Sequence, residues 1–119
     1  MQLLFGESDE GPGRGLQLIE GRVTRLNAAQ VPQIGWNTLE EPSDPAFAGS
    51  ALRTAYYANS YVCRPVDVSC VVAWSTHESD RFAAAVRVGN TLGVQFHPEK
   101  SSAPGVAFIQ RFLTDVTLG

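Results

Sequence analysis

Gly93-Val94-Gln95-Phe96-His97-Pro98-Glu99-Lys100-Ser101-Ser102 is the stretch on which the reading of this chain turns. It sets an imidazole two residues from a carboxylate, with a proline fixing the backbone between them. The run before it is apolar and reads as a buried strand. A strand has a two-residue side-chain period, so His97 and Glu99 are expected on one face. There the carboxylate accepts the proton of one ring nitrogen and leaves the other facing a nucleophile, the orienting role of a triad's third member. On these two residues alone, a strand-end histidine beside a solvated carboxylate is the simpler reading.

Upstream, Phe82 to Val88 and Thr91 to Phe96 flank Gly89-Asn90, which suits a hairpin with a two-residue turn. Downstream, Val106, Ile109, Phe112, Leu113 and Val116 recur at helical spacing, with Gln110, Arg111 and Asp115 opposite. Ser101 or Ser102 is placed to cap that helix, and Pro104 stands near its first turn. Val68 to Trp74 is apolar and β-branched, and Ala55 to Cys63 is aromatic-rich; both read as extended. Val31 to Leu39 is a short strand-like piece, with Pro32 marking an edge or a strand start. Leu16 to Glu20 and Arg22 to Leu26 read as two extended segments pivoting at Gly21. Residues 1–8 read as a short helical stub, followed by a glycine-rich loop from Gly6 to Gly15. That loop is no nucleotide fingerprint, since no strand precedes it and no helix clearly follows. Residues 40–50, with Pro42, Pro45 and Gly49, read as a surface loop. His77 to Arg81 reads as a polar turn, in which His77 is a solvated imidazole without a catalytic role. Strands followed by a terminal helix, taken alone, read as α+β.

A chain of 119 residues with 44% hydrophobic and 18% charged residues suits one small globular domain with a modest core. A net charge of −3 and the lack of a Lys/Arg cluster argue against nucleic acid or an anionic membrane as partner. No apolar run approaches the roughly 20 residues that span a bilayer. The start MQLLFGESDEG lacks the basic beginning and long apolar region of a secretory signal, so a cytoplasmic location is expected. Cys63, Cys70, His77 and His97 show no zinc-binding spacing, and no metal is expected. Cys63 and Cys70 lie in apolar, β-branched surroundings without the flanking glycines of a nucleophile elbow, and read as small core hydrophobes.

The run GVQFHPE, Gly93 to Glu99, resembles the His/Glu signature of class I glutamine amidotransferases, and Lys100-Ser101-Ser102 narrows the likeness to the glutaminase subunits of imidazole glycerol phosphate synthases. The likeness extends over nearly the whole chain. Met1-Gln2-Leu3-Leu4-Phe5 resembles the tail of a pattern reading GxCxGMQLLF, and Gly15-Leu16 through Gly21-Arg22-Val23 resembles GLGLIxGRV. Val31 to Asn37 resembles a PHxGWN element that faces the cyclase subunit, with Gln33 standing where histidine is usual. Asn59-Ser60-Tyr61 resembles an HSY element beside the substrate, again with the histidine replaced, by Asn59, whose amide keeps both donor and acceptor capacity.

The resemblance implies the second half of a doubly wound, flavodoxin-like α/β domain, partial over residues 1–119 and beginning just past its own nucleophile cysteine. It implies hydrolysis of glutamine to glutamate and ammonia, with ammonia passing to a cyclase partner in histidine biosynthesis. His97 and Glu99 would be catalytic, and Gln2, Glu10, Asn59, Ser60 and Tyr61 would bind glutamine. Trp36, Tyr56 and Lys100 would meet the cyclase, and no cofactor is implied. Without the cysteine, the chain by itself is expected to be inactive, and poorly stable with sheet edges open. Two alternatives stand beside this reading. One is a non-catalytic pseudo-glutaminase that regulates a synthase, against which the retained His97 and Glu99 weigh. The other is the glutaminase component of another amidotransferase such as anthranilate synthase, against which Lys100-Ser101-Ser102 and Gly35-Trp36-Asn37 weigh.

Overall fold

The structure, a computed structural model, describes residues 1–8 and 18–118. Strand β1 (Phe5–Ser8) pairs in parallel with β2 (Ile19–Arg25), and β2 pairs antiparallel with β5 (Tyr61–Pro65). Strands β3 (Gln33–Thr38) and β4 (Thr54–Asn59) form a separate antiparallel ribbon. A third sheet has the order β6 (Val71–His77), β7 (Asp80–Val88), β8 (Thr91–Val94). Two α-helices complete the described elements, α1 (Pro45–Ala48) and α2 (Ser102–Leu118). No helix among the described residues is long and apolar enough to cross a membrane.

Strand β7 is the wall between two hydrophobic clusters. Its run Phe82-Ala83-Ala84-Ala85-Val86 is buried throughout, and the short alanines let neighbours approach from both sides. On one side Tyr57, Phe96, Phe108 and Phe47 join Phe82, in edge-on and tilted ring contacts with centroids 4.9–6.1 Å apart. On the other side Phe5, Ile19, Val23 and Cys63 pack against Ala83 and Val86.

Several local expectations need correction. The helical stub is only a single 3₁₀ turn, Gln2–Leu4; Phe5 then enters a strand, because pairing with Ile19 buries its ring. Gly21 is no pivot between two segments. It lies inside β2 at φ 151°, where a Cβ would come within 2.3 Å of the Arg64 carbonyl oxygen, so only glycine lets β5 pair there. The extended run 55–63 is broken at Ser60, and its halves join different sheets. Val68–Cys70 is a 3₁₀ turn, and the strand starts at Val71.

Residues 40–50 are not a plain surface loop. Asp44 caps α1 by accepting from the Ala46 N–H at 3.0 Å, and both its carboxylate oxygens accept from Arg87 at 2.7 and 2.8 Å. That neutralised anchor lets Ala46 and Phe47 sink into the core. The terminal helix forms as expected but faces differently. Gly105 and Phe108 are buried and Ile109 and Phe112 half-buried, whereas Val106 and Leu113 are 46% and 57% exposed. The rotation is set by Gly105, whose absent Cβ would lie 2.1 Å from the Pro98 carbonyl oxygen.

Candidate functional site

The ladder of β8 ends at Val94, and the chain then crosses from β7 to β4: the Gln95 N–H donates to the Ala84 carbonyl at 2.8 Å and the His97 N–H to the Tyr56 carbonyl at 2.8 Å. Pro98 has no N–H to continue a ladder and opens a 3₁₀ turn over Pro98–Lys100. The expectation that His97 and Glu99 share a strand face is therefore wrong in its geometry. The turn, not the strand period, brings Glu99 Oε1 to 2.8 Å from His97 Nδ1. Partial desolvation opposes ionisation of Glu99. Its own backbone N–H, the His97 ring and the Lys100 charge outweigh it and hold the carboxyl below the usual range. His97 Nε2 makes no hydrogen bond among the described residues, and His97 lines a cavity of about 540 Å³.

Gln2, Asn59, Ser60 and Tyr61 line the same cavity. The break at Ser60 puts them there: β4 ends at Asn59, β5 begins at Tyr61, and the Ser60 carbonyl accepts from the Leu26 N–H at 2.9 Å. Gln2 Nε2 and Asn59 Nδ2 both donate to the Tyr61 carbonyl, at 3.3 and 3.1 Å. Glu99, in contact with the His97 ring, is not among the lining residues. Glu10 lies outside the described residues. Gln95 also lines the cavity, and its Oε1 is buried without a hydrogen-bond partner among the described residues.

Trp36, Tyr56 and Lys100 come together on the surface. Trp36 and Tyr56 face each other across the β3–β4 ladder with their rings edge-on at 6.0 Å, and Lys100 Nζ lies 5.9 Å from the Tyr56 ring centre. Trp36 is 55% exposed and Ile34 on the same strand 67% exposed, so Trp36 is no core aromatic.

Ser101 is the residue that sequence reasoning undervalued. Its buried hydroxyl accepts from the Tyr56 N–H at 3.0 Å and donates to the His97 carbonyl at 2.6 Å, so it fastens the histidine turn to β4 rather than capping α2. The signal available in the sequence was its position four residues after His97, within reach of that carbonyl.

Neither cysteine lines the cavity. Burial pushes the Cys63 thiol up to about 12, and burial followed by the nearby Asp67 charge raises that of Cys70, so neither is a ready thiolate. His77 is not simply solvated: its Nε2 lies 2.7 Å from the Gln30 carbonyl oxygen. Among the described residues no cluster of His, Cys, Asp or Glu is arranged to hold a metal ion.

An imidazole held by a carboxylate beside a polar cavity has the groups that general acid–base chemistry needs, and the sequence places the chain in a definite family. Residues 1–116 match glutamine amidotransferase class-I, and the chain belongs to that family. Its mixed α/β architecture accords with such a domain, as the sequence led us to expect. The chain is 38% identical to the imidazole glycerol phosphate synthase subunit HisH of Synechococcus sp., over 95% of this chain and 55% of that protein. To the proteins of the same description from Pyrobaculum aerophilum and Thermus thermophilus it is 40% and 44% identical, covering 95% and 92% of this chain and 58% and 53% of theirs. The chain thus spans little more than half the length of these relatives.

Proposed function

We propose that this chain contributes the histidine-carboxylate half of a glutaminase site in a subunit of imidazole glycerol phosphate synthase, acting in the cytoplasm. The observation that carries the reading is the His97 Nδ1–Glu99 contact of 2.8 Å, with Nε2 unpartnered among the described residues and His97 on a cavity lined by Gln2, Asn59, Ser60 and Tyr61. In this reading a cysteine thiol from outside the cavity-lining residues described above loses its proton to His97 Nε2 and attacks the carboxamide carbon of glutamine. His97 then protonates the leaving ammonia, and afterwards takes a proton from the water that hydrolyses the thioester to glutamate. Glu99 fixes the ring so that Nδ1 carries its proton, and stabilises the cation formed in each step.

Gln2, Asn59, Ser60, Tyr61 and Glu10 are assigned to binding glutamine. The exposed Trp36 and Lys100 and the half-buried Tyr56 between them are assigned to a cyclase subunit that receives the ammonia. No cofactor enters this chemistry. The test is ammonia release from glutamine by the complete subunit assembled with its cyclase. Loss of turnover in His97→Ala, with the assembly intact by size-exclusion chromatography, is the expected result. Unchanged turnover in that variant, or a complete subunit that fails to hydrolyse glutamine with its partner present, would sink the reading.

A further inference from the structure

We propose that Gln33 is a positioning residue of the glutaminase site, acting through Asn59; the proposal rests on the glutaminase reading and adds to it a residue outside the cavity. Gln33 and Asn59 face each other across the β3–β4 ladder and are 4% and 7% exposed. Two buried primary amides in contact are costly unless their donors and acceptors match. Here they match in one direction along a chain. Asn37 Nδ2 donates to Gln33 Oε1 at 2.7 Å, Gln33 Nε2 donates to Asn59 Oδ1 at 2.9 Å, and Asn59 Nδ2 donates to the Tyr61 carbonyl at 3.1 Å.

Backbone groups that cannot reverse set the polarity at both ends. The Thr38 N–H donates to Asn37 Oδ1 at 2.7 Å, and Asn37 Nδ2 also donates to the Thr76 carbonyl at 2.9 Å, which fixes the first amide. The Tyr61 carbonyl requires a donor and so fixes the last. Turning over Asn59 alone would set donor against donor at Gln33 and acceptor against acceptor at Tyr61. Asn59 lines the cavity, whereas Gln33 and Asn37 do not. Gln33 therefore holds the oxygen end of the Asn59 amide while the Tyr61 carbonyl holds its nitrogen end, and the two together place residues 59–61 for a bound glutamine.

The experiment uses the complete subunit assembled with its cyclase and reads KM and kcat for glutamine. Gln33→Met keeps the length of the side chain and removes both amide functions. Leaving Asn59 Oδ1 unpartnered should raise KM roughly 5- to 100-fold, with kcat within about threefold. In an Asn59→Ala background the same change should add less than about twofold, since the residue through which it acts is gone. At pH 8 Gln33→His, whose neutral ring offers one donor and one acceptor, should recover most of the loss. If Gln33→Met does not fold, Asn37→Ala replaces it and should raise KM in the same sense by a few-fold. A lowered melting temperature with unchanged KM, or effects of Gln33→Met and Asn59→Ala that add in full, would overturn the proposal. A wild-type assembly that releases no ammonia would instead count against the glutaminase reading itself.

Discussion

His77 and His97 each stand beside a carboxylate, and the two neighbourhoods use that pair in opposite ways. At the β6–β7 turn His77, Glu78 and Asp80 all reach the backbone of residues 27–30. His77 Nε2 meets the Gln30 carbonyl, the two oxygens of Glu78 accept from the Ala29 and Gln30 N–H groups at 2.9 and 2.7 Å, and Asp80 accepts from the Asn27 N–H at 2.9 Å. Glu78 lies 3.8 Å from the His77 ring and is taken up by amides instead. At residues 97–101 the carboxylate serves the imidazole, and the backbone of the turn is held by Ser101. The first pair is a clasp in which one ring nitrogen and both carboxylate oxygens hold backbone. The second leaves one ring nitrogen without a hydrogen-bond partner among the described residues, at a cavity. Proximity of a histidine to a carboxylate says little; where the remaining nitrogen is directed separates structure from chemistry.

The contrast breaks most readily at the two imidazoles. In the complete assembly His97→Ala should lower turnover by ~10²–10⁴, the range of general acid–base catalysis, while His77→Ala keeps kcat within about threefold. The reverse order, measured by ammonia release, would reassign the catalytic histidine. Glu99→Gln keeps an acceptor near Nδ1 but removes the charge, and its loss of turnover should be smaller than that of His97→Ala.

Gly105→Ala sharpens the comparison from outside the pair. Its Cβ would meet the Pro98 carbonyl oxygen at 2.1 Å, so the His97 turn or α2 must shift. Turnover should fall about tenfold or more from misplacement of His97, with a stability loss of about 1–3 kcal/mol by urea titration. A full loss of stability with normal turnover per folded molecule would show that the turn does not depend on this contact. His77→Ala, by contrast, should cost about 1 kcal/mol of stability through one lost hydrogen bond, read in the same titration.

The smallest effect concerns acid. The Ala29 N–H, then the Gln30 N–H, hold the Glu78 carboxyl below its usual value. A depressed carboxylate contributes in full above its unfolded value near ~4.3, and the contribution is lost as pH falls through the folded value. Hydrogen-exchange protection of the Ala29 and Gln30 amides should therefore decline below about pH 4, and Glu78→Gln should flatten that dependence. Protection that is constant through this window would remove the clasp from the account.

The His97–Glu99 contact was legible because it lies within three consecutive residues, His97-Pro98-Glu99, and needs no distant partner to be recognised. Its geometry was not, since period-two alternation is a property of a continuing ladder and Pro98 ends the ladder. The hairpin of Asp80–Val88 and Thr91–Val94 was legible from Gly89-Asn90, and Gly89 indeed takes φ 57°. The inward face of α2 was misjudged because Val106 and Phe108 are both apolar; what decides between them is the seat of Gly105 against Pro98, a tertiary contact. The same holds for Asp44, which reads as a loop acid until Arg87, far along the chain, reaches it. Ser60 looks like one more residue of an extended run, and only the destinations of its two flanks, in different sheets, reveal the break. Gln33 and Asn59 each stand where the resemblance leads one to expect histidine, but nothing in a linear reading pairs them.

Ser101 has a mechanical consequence. The His97 N–H to Tyr56 carbonyl bond, the Tyr56 N–H to Ser101 hydroxyl bond and the Ser101 hydroxyl to His97 carbonyl bond form a closed triangle. Parallel rungs let two strands slide past one another by trading partners; a triangle has no such shear mode and moves only as a whole or by breaking. Residue 56 and residue 97 are therefore corners of one rigid plate, with the Tyr56 ring on its outer side and the His97 ring at the cavity. A displacement of β4 that keeps this plate intact carries the imidazole with it, undamped, over the distance of a single hydroxyl group.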